Sequence, residues 1–191
     1  MRFGIVGHGR MGQSIEKQAI SNGLDLVWII KNESDWNTID FNANPVDVVI
    51  EFTQPNAAVQ NIKRLINVGL PVITGTTGWY EELNEVKKFV IEKKGTLLYA
   101  SNFSIGVNIL FELNTLLANF TSRFPAFAGK VTETHHIHKL DAPSGTATTL
   151  INGIINHHPK YDSWHFAENE VKTEDSLPVD CRREGEVFGI H

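Results

Sequence analysis

The chain has 191 residues, of which 41% are apolar and 20% are charged, and a formal net charge of −5. This composition excludes an intrinsically disordered chain and a coiled coil, and the length allows one large domain or two small ones. The negative charge disfavours nucleic acid or an anionic membrane as a partner. No apolar run approaches the roughly 18 residues that a membrane span requires, so we expect a soluble, cytoplasmic protein.

Cysteine content excludes two further kinds of structure. Cys181 is the only cysteine, so neither an intrachain disulfide nor a cysteine-based zinc site can form. The N-terminal apolar run meets glycine within a few residues, unlike the apolar segment of a secretion signal.

Strand and helix patterns alternate over the first hundred residues. Continuous β-branched runs predict buried strands, and apolar residues three or four apart predict helices. In the first helix, Met11, Ile15 and Ala19 form the predicted apolar face. The alternation predicts an α/β fold with a Rossmann-like, doubly wound parallel sheet. The predicted strands cover residues 2–6, 24–30, 46–52, 71–74 and 96–100, and the predicted helices cover residues 11–22, 56–68 and 81–94.

The second half follows a different pattern. A long helix is predicted over residues 105–121, with Leu110, Leu113, Leu117 and Phe120 at helical spacing. A strand over 130–135, a helix over 145–155 and a strand-like segment over 177–190, around a turn at Gly185, follow. Glycine and small polar residues interrupt the pattern near residues 101–106. We therefore expect a dinucleotide-binding domain over 1–101 and a smaller α+β domain for substrate binding and assembly over 102–191.

The first strand runs into the pattern G-x-G-x-x-G, formed by Gly7, Gly9 and Gly12. Strand, glycine loop, helix and second strand fall within about 30 residues, which is the context that a dinucleotide-binding loop requires. Glycine permits the tight turn and lets backbone N–H groups approach a pyrophosphate, and the helix N-terminus attracts its charge. The alternative is a plain tight turn. In this context the pattern favours cofactor binding.

The end of the second predicted strand bears on cofactor choice. An acidic residue is expected about 20 residues past such a loop, where it binds the adenosine ribose. Lys31 stands there instead, and a cation favours a 2′-phosphate. A solvated lysine is the competing interpretation. We predict a preference for NADPH, or use of both NADPH and NADH.

Two further loops follow predicted strands at the same edge of the sheet. One contains Gly75, Thr76 and Thr77, and the other covers residues 100–103. Ligands of doubly wound sheets bind at this carboxyl edge. Each segment alone is compatible with an ordinary loop, and together with the glycine loop they predict a nicotinamide pocket.

Histidines cluster beside a lysine in the second half, at His135, His136, His138 and Lys139. On a strand, the side chains of His135 and His136 point to opposite faces. Three interpretations compete: a metal site using His135 and His138, half-exposed polar residues at a strand end, and an acid–base site with a fixed positive charge. Ser144 follows as a predicted helix N-cap, and the N–H groups of the next residues suit a carboxylate.

These motifs together resemble the 4-hydroxy-tetrahydrodipicolinate reductase (dihydrodipicolinate reductase) family of lysine and diaminopimelate biosynthesis. The resemblance rests on the glycine loop, on G-T-T at residues 75–77, on N-F-S at 102–104, and on E-x-H-H-x-H-K-x-D-A-P-S-G-T-A at 133–147. It runs in order along the whole chain. It implies reduction of the cyclic imine 4-hydroxy-tetrahydrodipicolinate by NADPH or NADH.

The resemblance also implies residue roles. His135 is the expected acid–base residue, and Lys139 is the second proton donor. The expected substrate-binding residues are His136, Lys139, Ser144, Gly145 and Thr146, with no metal. The expected cofactor-binding residues are Gly7, His8, Gly9, Arg10, Met11, Gly12, Lys31, Gly75, Thr76, Thr77, Ala100, Ser101, Asn102 and Phe103.

The resemblance departs at the C-terminal end. Relatives continue with further strands and a helix that returns to the first domain, and they form tetramers. The segment ending at residue 191 is short by comparison, so we expect exposed apolar surface and a homotetramer only where this region is complete. Three alternatives stay open: a Rossmann-type reductase of a sugar or another imine, a truncated dinucleotide-binding protein without turnover, and a metal-dependent hydrolase.

The Lys31 hypothesis yields a test. Lys31→Glu removes the cation and places a carboxylate against the 2′-phosphate, so the dissociation constant for NADPH should rise while that for NADH stays nearly constant. Calorimetric titration with each cofactor measures both constants. An equal rise in the dissociation constants for NADPH and NADH would contradict a contact between Lys31 and the 2′-phosphate.

Overall fold

The computed structural model describes residues 1–139, 141–169 and 174–186. The chain divides into two compact units, Met1–Ser101 and Asn102–His191. Among the described residues, no helix has the length and apolar character needed to cross a bilayer.

The first unit is a five-stranded parallel sheet with helices between successive strands. The fold predicted from the sequence is therefore confirmed for this unit. The 3-10 helix Glu33–Asn37 was not predicted, and the 3-10 helix Tyr80–Glu82 forms the start of the helix predicted over 81–94. The strands are β1 (Arg2–Val6), β2 (Asp25–Ile30), β3 (Val48–Glu51), β4 (Val72–Thr74) and β5 (Leu97–Tyr99), and the helices are α1 (Arg10–Ser21), α2 (Pro55–Asn67) and α3 (Leu83–Glu92).

Strand order places a ligand-binding crevice. The order is β2-β1-β3-β4-β5, so the chain goes from β1 outward to β2 and then returns to the other side of β1. The loops after β1 and β3 consequently lie on either side of the point where the winding direction changes. In open parallel sheets, ligands bind at this point, beyond the carboxyl ends of the strands.

The core of the first unit shows which face of each helix is buried against the sheet. Helix α2 buries Ile62 and Leu65 completely, in a cluster with Val49 and Val72 of the sheet. Ala19 of α1 packs on the opposite side of the sheet. The predicted apolar face of α1 is wrong at Met11, which is 54% exposed. It lies in the first turn of the helix and lines a cavity rather than the core.

The second unit has a three-stranded parallel sheet in the order β6-β8-β7. Helix α4 packs against α5, and the Asn114 side chain donates a hydrogen bond of 2.9 Å to the carbonyl of Leu150. The small core includes Ile151, Leu177 and Val179. The elements are α4 (Ile105–Thr121), β6 (Val131–His135), α5 (Gly145–His157), β7 (Ser163–Phe166) and β8 (Ser176–Arg183).

Two sequence predictions for this unit differ from the structure. The short strand β7 was not predicted, because only four residues pair with β8. The predicted strand over 177–190 ends at Arg183, before a turn in which Gly185 has φ +57°. Residues 187–190 of that prediction lie outside the described residues.

Helix α4 presents a wide apolar surface. Leu113, Leu116, Leu117 and Phe120 are between 56% and 64% exposed. The apolar residues thus lie on the helix at the predicted spacing, but their side chains are largely exposed in the part of the chain that the structure describes.

The α2 packing yields a stability prediction. Ile62→Ala removes a fully buried side chain and should lower the free energy of unfolding by about 2–5 kcal/mol. Ile91→Ala, at a position 76% exposed, is the matched control and should change it by less than about 0.5 kcal/mol. Urea unfolding of both variants measures the difference. Equal effects would place Ile62 outside the core.

Candidate active site

The turn between β1 and α1 admits only glycine at two positions. Gly7 has φ +92°, and a Cβ there would lie 1.9 Å from the carbonyl oxygen of Phe52. A Cβ on Gly12 would lie 2.1 Å from the carbonyl oxygen of Gly7. Because both positions are closed to side chains, the loop packs tightly against the segment after β3 and against its own helix.

Gly9 differs because it faces open space. A Cβ built there meets nothing within 4 Å, although Gly9 is the N-cap of α1. Within the described ranges no side chain caps this helix, and its first turn holds no acidic residue. The N-terminus of α1 therefore offers backbone N–H groups and a partial positive charge. These features fit the pyrophosphate of a dinucleotide.

Two neighbours of Gly9 are placed differently from each other. Nε2 of His8 lies 2.6 Å from a carboxylate oxygen of Glu16, so this side chain is paired within the protein. Arg10 is exposed. Of these two residues, Arg10 is therefore the one whose side chain is exposed to solvent.

Three loops meet at one cavity of about 300 Å³ at the carboxyl edge of the sheet. They follow β1, β3 and β4. The first and third loops were predicted from the sequence, whereas the second, which follows β3, was not. Its proximity depends on the strand order, which local patterns do not give. The lining residues are Gly9, Arg10, Met11, Phe52, Thr53, Pro55, Gly75, Thr76 and Thr77.

A buried carboxylate fixes two of these loops. Glu51 is 0% exposed, and its carboxylate accepts hydrogen bonds from the hydroxyls of Thr53 and Thr74. The N–H of Thr53 in turn donates to Oγ1 of Thr76 at 2.8 Å. The signal for this network in the sequence is an acidic residue, Glu51, inside a β-branched strand. The network holds the loops after β3 and β4 in a single arrangement.

Gly75 is required by the Phe52 ring. A Cβ on Gly75 would lie 2.0 Å from that ring. The carbonyl of Thr76 accepts the indole N–H of Trp79 at 2.8 Å. The polar atoms of Thr76 are thus bonded within the first unit, whereas Thr77 is half-buried at the cavity.

Lys31 is exposed beside a second, smaller cleft of about 140 Å³. An acid, Glu33, follows two residues later, and both of its oxygens accept from Arg64, at 2.6 and 2.8 Å. The hydrogen bond from Arg64 lowers the pKa of Glu33. Arg64 also lies over the Trp36 ring, 5.1 Å from its centroid. Lys31 and Glu33 both line the cleft, and Glu33 is paired with Arg64, so the NADPH preference stays a prediction.

The loop after β5 is divided between the two units. Ala100 and Ser101 belong to the first unit, where the N–H of Ala100 donates to the carbonyl of Thr74 at 3.3 Å. Asn102 and the exposed Phe103 belong to the second. The amide of Asn102 donates to the hydroxyl of Thr146 at 3.4 Å.

Strand β6 places His135 next to a buried acid. Glu133 and His135 lie two residues apart on its buried face, at 4% and 8% exposure. Nε2 of His135 is 3.2 Å from a carboxylate oxygen of Glu133. Strand β6 ends at His135, in agreement with the strand predicted over residues 130–135, so His136 lies beyond the strand. His136 begins a turn that the N–H of Lys139 closes on its carbonyl at 3.1 Å.

Lys139 is engaged by an acid of its own segment. Its ammonium contacts both carboxylate oxygens of Asp141, at 2.7 and 2.9 Å. Arg183 of β8 donates to the carbonyls of Lys139 and Asp141, at 3.3 and 2.6 Å. Arg183 was not predicted from the sequence, because it lies 44 residues away from Lys139 along the chain.

The start of α5 completes this cluster. The hydroxyl of Ser144 accepts from the N–H of Ala147 at 3.1 Å, and the N–H of Ser144 donates to Glu133. The predicted N-cap is therefore present. Gly145 and Thr146 form the first turn, and Thr146 is buried. Their backbone N–H groups lie at the positive end of the helix.

Burial and charge set the protonation of the cluster. Burial lowers the pKa of His135; the carboxylate of Glu133 opposes this effect, and the charges of Lys139 and Arg183 add to it. Burial alone would raise the pKa of Glu133, but hydrogen bonds from Ser144 and Cys181 lower it. Burial and the hydrogen bond to Glu133 raise the pKa of Cys181 to about 11. The cluster thus holds an ionised carboxylate beside a histidine that releases its proton readily.

A metal site using His135 and His138 is the alternative interpretation of this segment. Among the residues that the structure describes, no group of three or more histidine, cysteine, aspartate and glutamate side chains is arranged to hold a metal ion. His138 instead pairs with Glu186 at 3.1 Å.

Gly9→Ala separates folding from ligand binding. A methyl group there meets no protein atom within 4 Å, so the melting temperature should stay within about 2 °C of the original value. The methyl group occupies the approach to the α1 N-terminus and should raise the dissociation constant of NADPH at least tenfold. Gly106→Ala, in α4, is the control. Unchanged NADPH affinity in Gly9→Ala would remove the glycine loop from the binding site.

Comparison with known proteins places the chain in a family. Models of the dihydrodipicolinate reductase N-terminus and C-terminus match residues 1–103 and 106–191. The 4-hydroxy-tetrahydrodipicolinate reductase of Christiangramia forsetii is 38% identical over 191 residues, covering 100% of this chain and 78% of that protein. The enzyme of the same name from Bdellovibrio bacteriovorus is 34% identical, covering 100% of this chain and 75% of that protein.

A solved structure shares the fold. Dipicolinate-bound dihydrodipicolinate reductase from Paenisporosarcina sp. TG-14 superposes with a TM-score of 0.68 at 22% identity, over 97% of this chain and 79% of that one. The two family models together span nearly the whole sequence, and the relatives match it from end to end. The chain therefore belongs to the dihydrodipicolinate reductase family.

Proposed function

We propose that the chain reduces 4-hydroxy-tetrahydrodipicolinate to tetrahydrodipicolinate with NADPH or NADH. The observation that carries this proposal is the cluster of the second unit, where a buried histidine lies against an ionised carboxylate next to a lysine and a helix N-terminus. This combination supplies a proton donor and positive charge for an acidic substrate. Family membership narrows the substrate to a cyclic imine with two carboxylates.

The first unit holds the dinucleotide in this proposal. The N-terminus of α1, with Gly9 as its open cap, binds the pyrophosphate, and Arg10 adds positive charge. The loop containing Gly75 and Thr77 lines the nicotinamide side of the cavity. When bound, the cofactor supplies a hydride. The protein contributes orientation and charge to this chemistry.

The second unit holds the substrate. The N–H groups of Gly145 and Thr146 bind one carboxylate at the start of α5, and the ammonium of Lys139 binds the other. Asp141 neutralises Lys139 before substrate arrives, so the incoming carboxylate exchanges one acidic partner for another. His136 lines the same turn. Ser144 supports this geometry as the helix cap.

The reaction proceeds through an enamine. Loss of the hydroxyl group as water gives a conjugated imine. Its distal ring carbon would accept the hydride that the bound cofactor supplies, and the electron pair would move to nitrogen. The enamine pair then forms a C–H bond with a proton from His135, whose N–H bond breaks. Lys139 and the α5 N-terminus stabilise the negative charge that develops on the substrate.

Assembly and location stay predictions. The apolar surface of α4 is consistent with coverage by other protein surface, and the homotetramer stays an expectation. The expected cytoplasmic location follows from the biosynthetic reaction that we propose.

His135→Gln tests the proton donor. A proton-transfer group typically contributes about 10²–10⁴-fold, so kcat should fall by that factor while KM for the imine changes little. Lys139→Ala should lower kcat and raise KM, because it removes charge from both binding and the reaction. The assay follows NADPH absorbance with the condensation product of pyruvate and aspartate semialdehyde.

An exposed histidine of the same unit provides the control. His157→Gln should leave kcat unchanged. If the unmodified chain binds NADPH but reduces neither this imine nor any of a panel of sugars and other imines, it is a binding protein and not a reductase. Turnover that survives His135→Gln intact would move the proton donor elsewhere.

A further inference from the structure

Glu133 connects three elements through one buried carboxylate. It lies on β6, its oxygens accept the Ser144 N–H at the start of α5 at 3.1 and 3.2 Å, and Arg183 of β8 approaches at 3.4 Å. His135 lies at 3.2 Å. Burying a carboxylate is costly unless donors surround it, and here donors from three elements do so. The carboxylate therefore ties the histidine, the helix N-terminus and the neighbouring strand to one point.

The carboxylate also dictates the protonation pattern of the histidine ring. An ionised carboxylate accepts hydrogen bonds and donates none, so the nitrogen that faces it, Nε2, must carry a hydrogen in both ring forms. In the neutral ring, Nδ1 is then the bare nitrogen. The proton that leaves and returns is consequently the one on Nδ1.

We propose that Glu133 is a positioning residue for the reduction: it selects Nδ1 of His135 as the proton-donating atom and holds that ring in register with the α5 N-terminus. This inference rests on the proposed function, because the proton transfer from His135 is a step of the proposed reduction. The selection of the ring nitrogen itself depends only on the contacts of Glu133.

The charge balance around His135 supports a second effect of the same residue. The ring faces Glu133 on β6, Lys139 in the following turn and Arg183 on β8, while Cys181 of β8 shares the carboxylate. Of these, only Glu133 raises the pKa of His135, against the lowering effects of burial and the two cations. Removing its charge should therefore lower that pKa and reduce the protonated fraction at neutral pH.

Glu133→Gln is the decisive variant. The glutamine oxygen can still accept from Ser144 and Arg183, but its NH₂ group then faces His135 as a donor, so the neutral ring should carry its hydrogen on Nδ1 instead. Imidazole ¹⁵N spectra of labelled protein, assigned by comparison with His135→Gln, report which nitrogen is bare. We expect bare Nδ1 in the original chain and in Glu133→Asp, which keeps an acceptor, and bare Nε2 in Glu133→Gln.

Kinetics provide the second readout. In Glu133→Gln, kcat should fall about 10²-fold, and the pH above which kcat declines should move down, because a proton donor with a lower pKa is lost at lower pH. KM for NADPH should stay constant. Glu133→Asp should recover part of kcat. Glu112→Gln, an exposed exchange of the same type on α4, is the matched control and should leave both the rate and its pH dependence unchanged.

The alkylation rate of Cys181 is a third readout of the Glu133 carboxylate, and it does not depend on catalysis. Because Glu133 contributes to the raised pKa of the thiol, alkylation of Cys181 at mildly alkaline pH should be faster in Glu133→Gln than in the original chain. A purely structural role for Glu133 would lower the melting temperature and leave the ring tautomer unchanged.

The outcomes separate this inference from the proposed function. The same bare nitrogen in the original chain and Glu133→Gln, or an unshifted pH profile with an active original enzyme, would overturn the role of Glu133 and leave the reductase assignment intact. Absence of turnover by the original chain would overturn the proposed function, while the ¹⁵N spectra would still decide whether Glu133 sets the tautomer.

Discussion

A carboxylate removed from water must be surrounded by hydrogen-bond donors, and this requirement organises the candidate sites of both units. Glu133 gathers a backbone N–H, a guanidinium and a histidine from three different elements. Glu51 gathers two threonine hydroxyls from neighbouring strand ends. In each case hydrogen-bonding groups that are costly to bury are satisfied by one arrangement of the surrounding segments.

The two carboxylates act through different chemistry. Glu51 fixes loops, so its effect on a ligand passes through the positions of Thr53 and Thr76. Glu133 touches a titrating side chain, so it influences proton affinity as well as position. Rigid supporting contacts of this kind hold reacting groups within the small tolerance that catalysis requires.

Positive charge in the second unit is local and largely compensated. Lys139 pairs with Asp141, and Arg183 binds backbone carbonyls and Glu133. An acidic ligand can therefore bind to a protein whose net charge is −5, since the relevant charges are confined to one turn and one helix end. Surface charge elsewhere has little influence at that distance because salt screens it.

The sequence by itself determined the α/β class, the elements of the parallel sheet, the glycine loop and the helix cap at Ser144, because each depends on residues close together along the chain. Local signals also identified the histidine–lysine segment. They failed at Met11, where spacing predicted burial and the side chain is exposed.

Only the tertiary structure decided which distant groups meet. The loop after β3 joins the first cavity because strand order places it beside β1, and no local pattern encodes that order. Arg183 reaches Lys139 and Glu133 because β8 pairs with β6. The tautomer of His135 is likewise a tertiary property, since it depends on an acceptor whose own charge is stabilised by donors from α5 and β8.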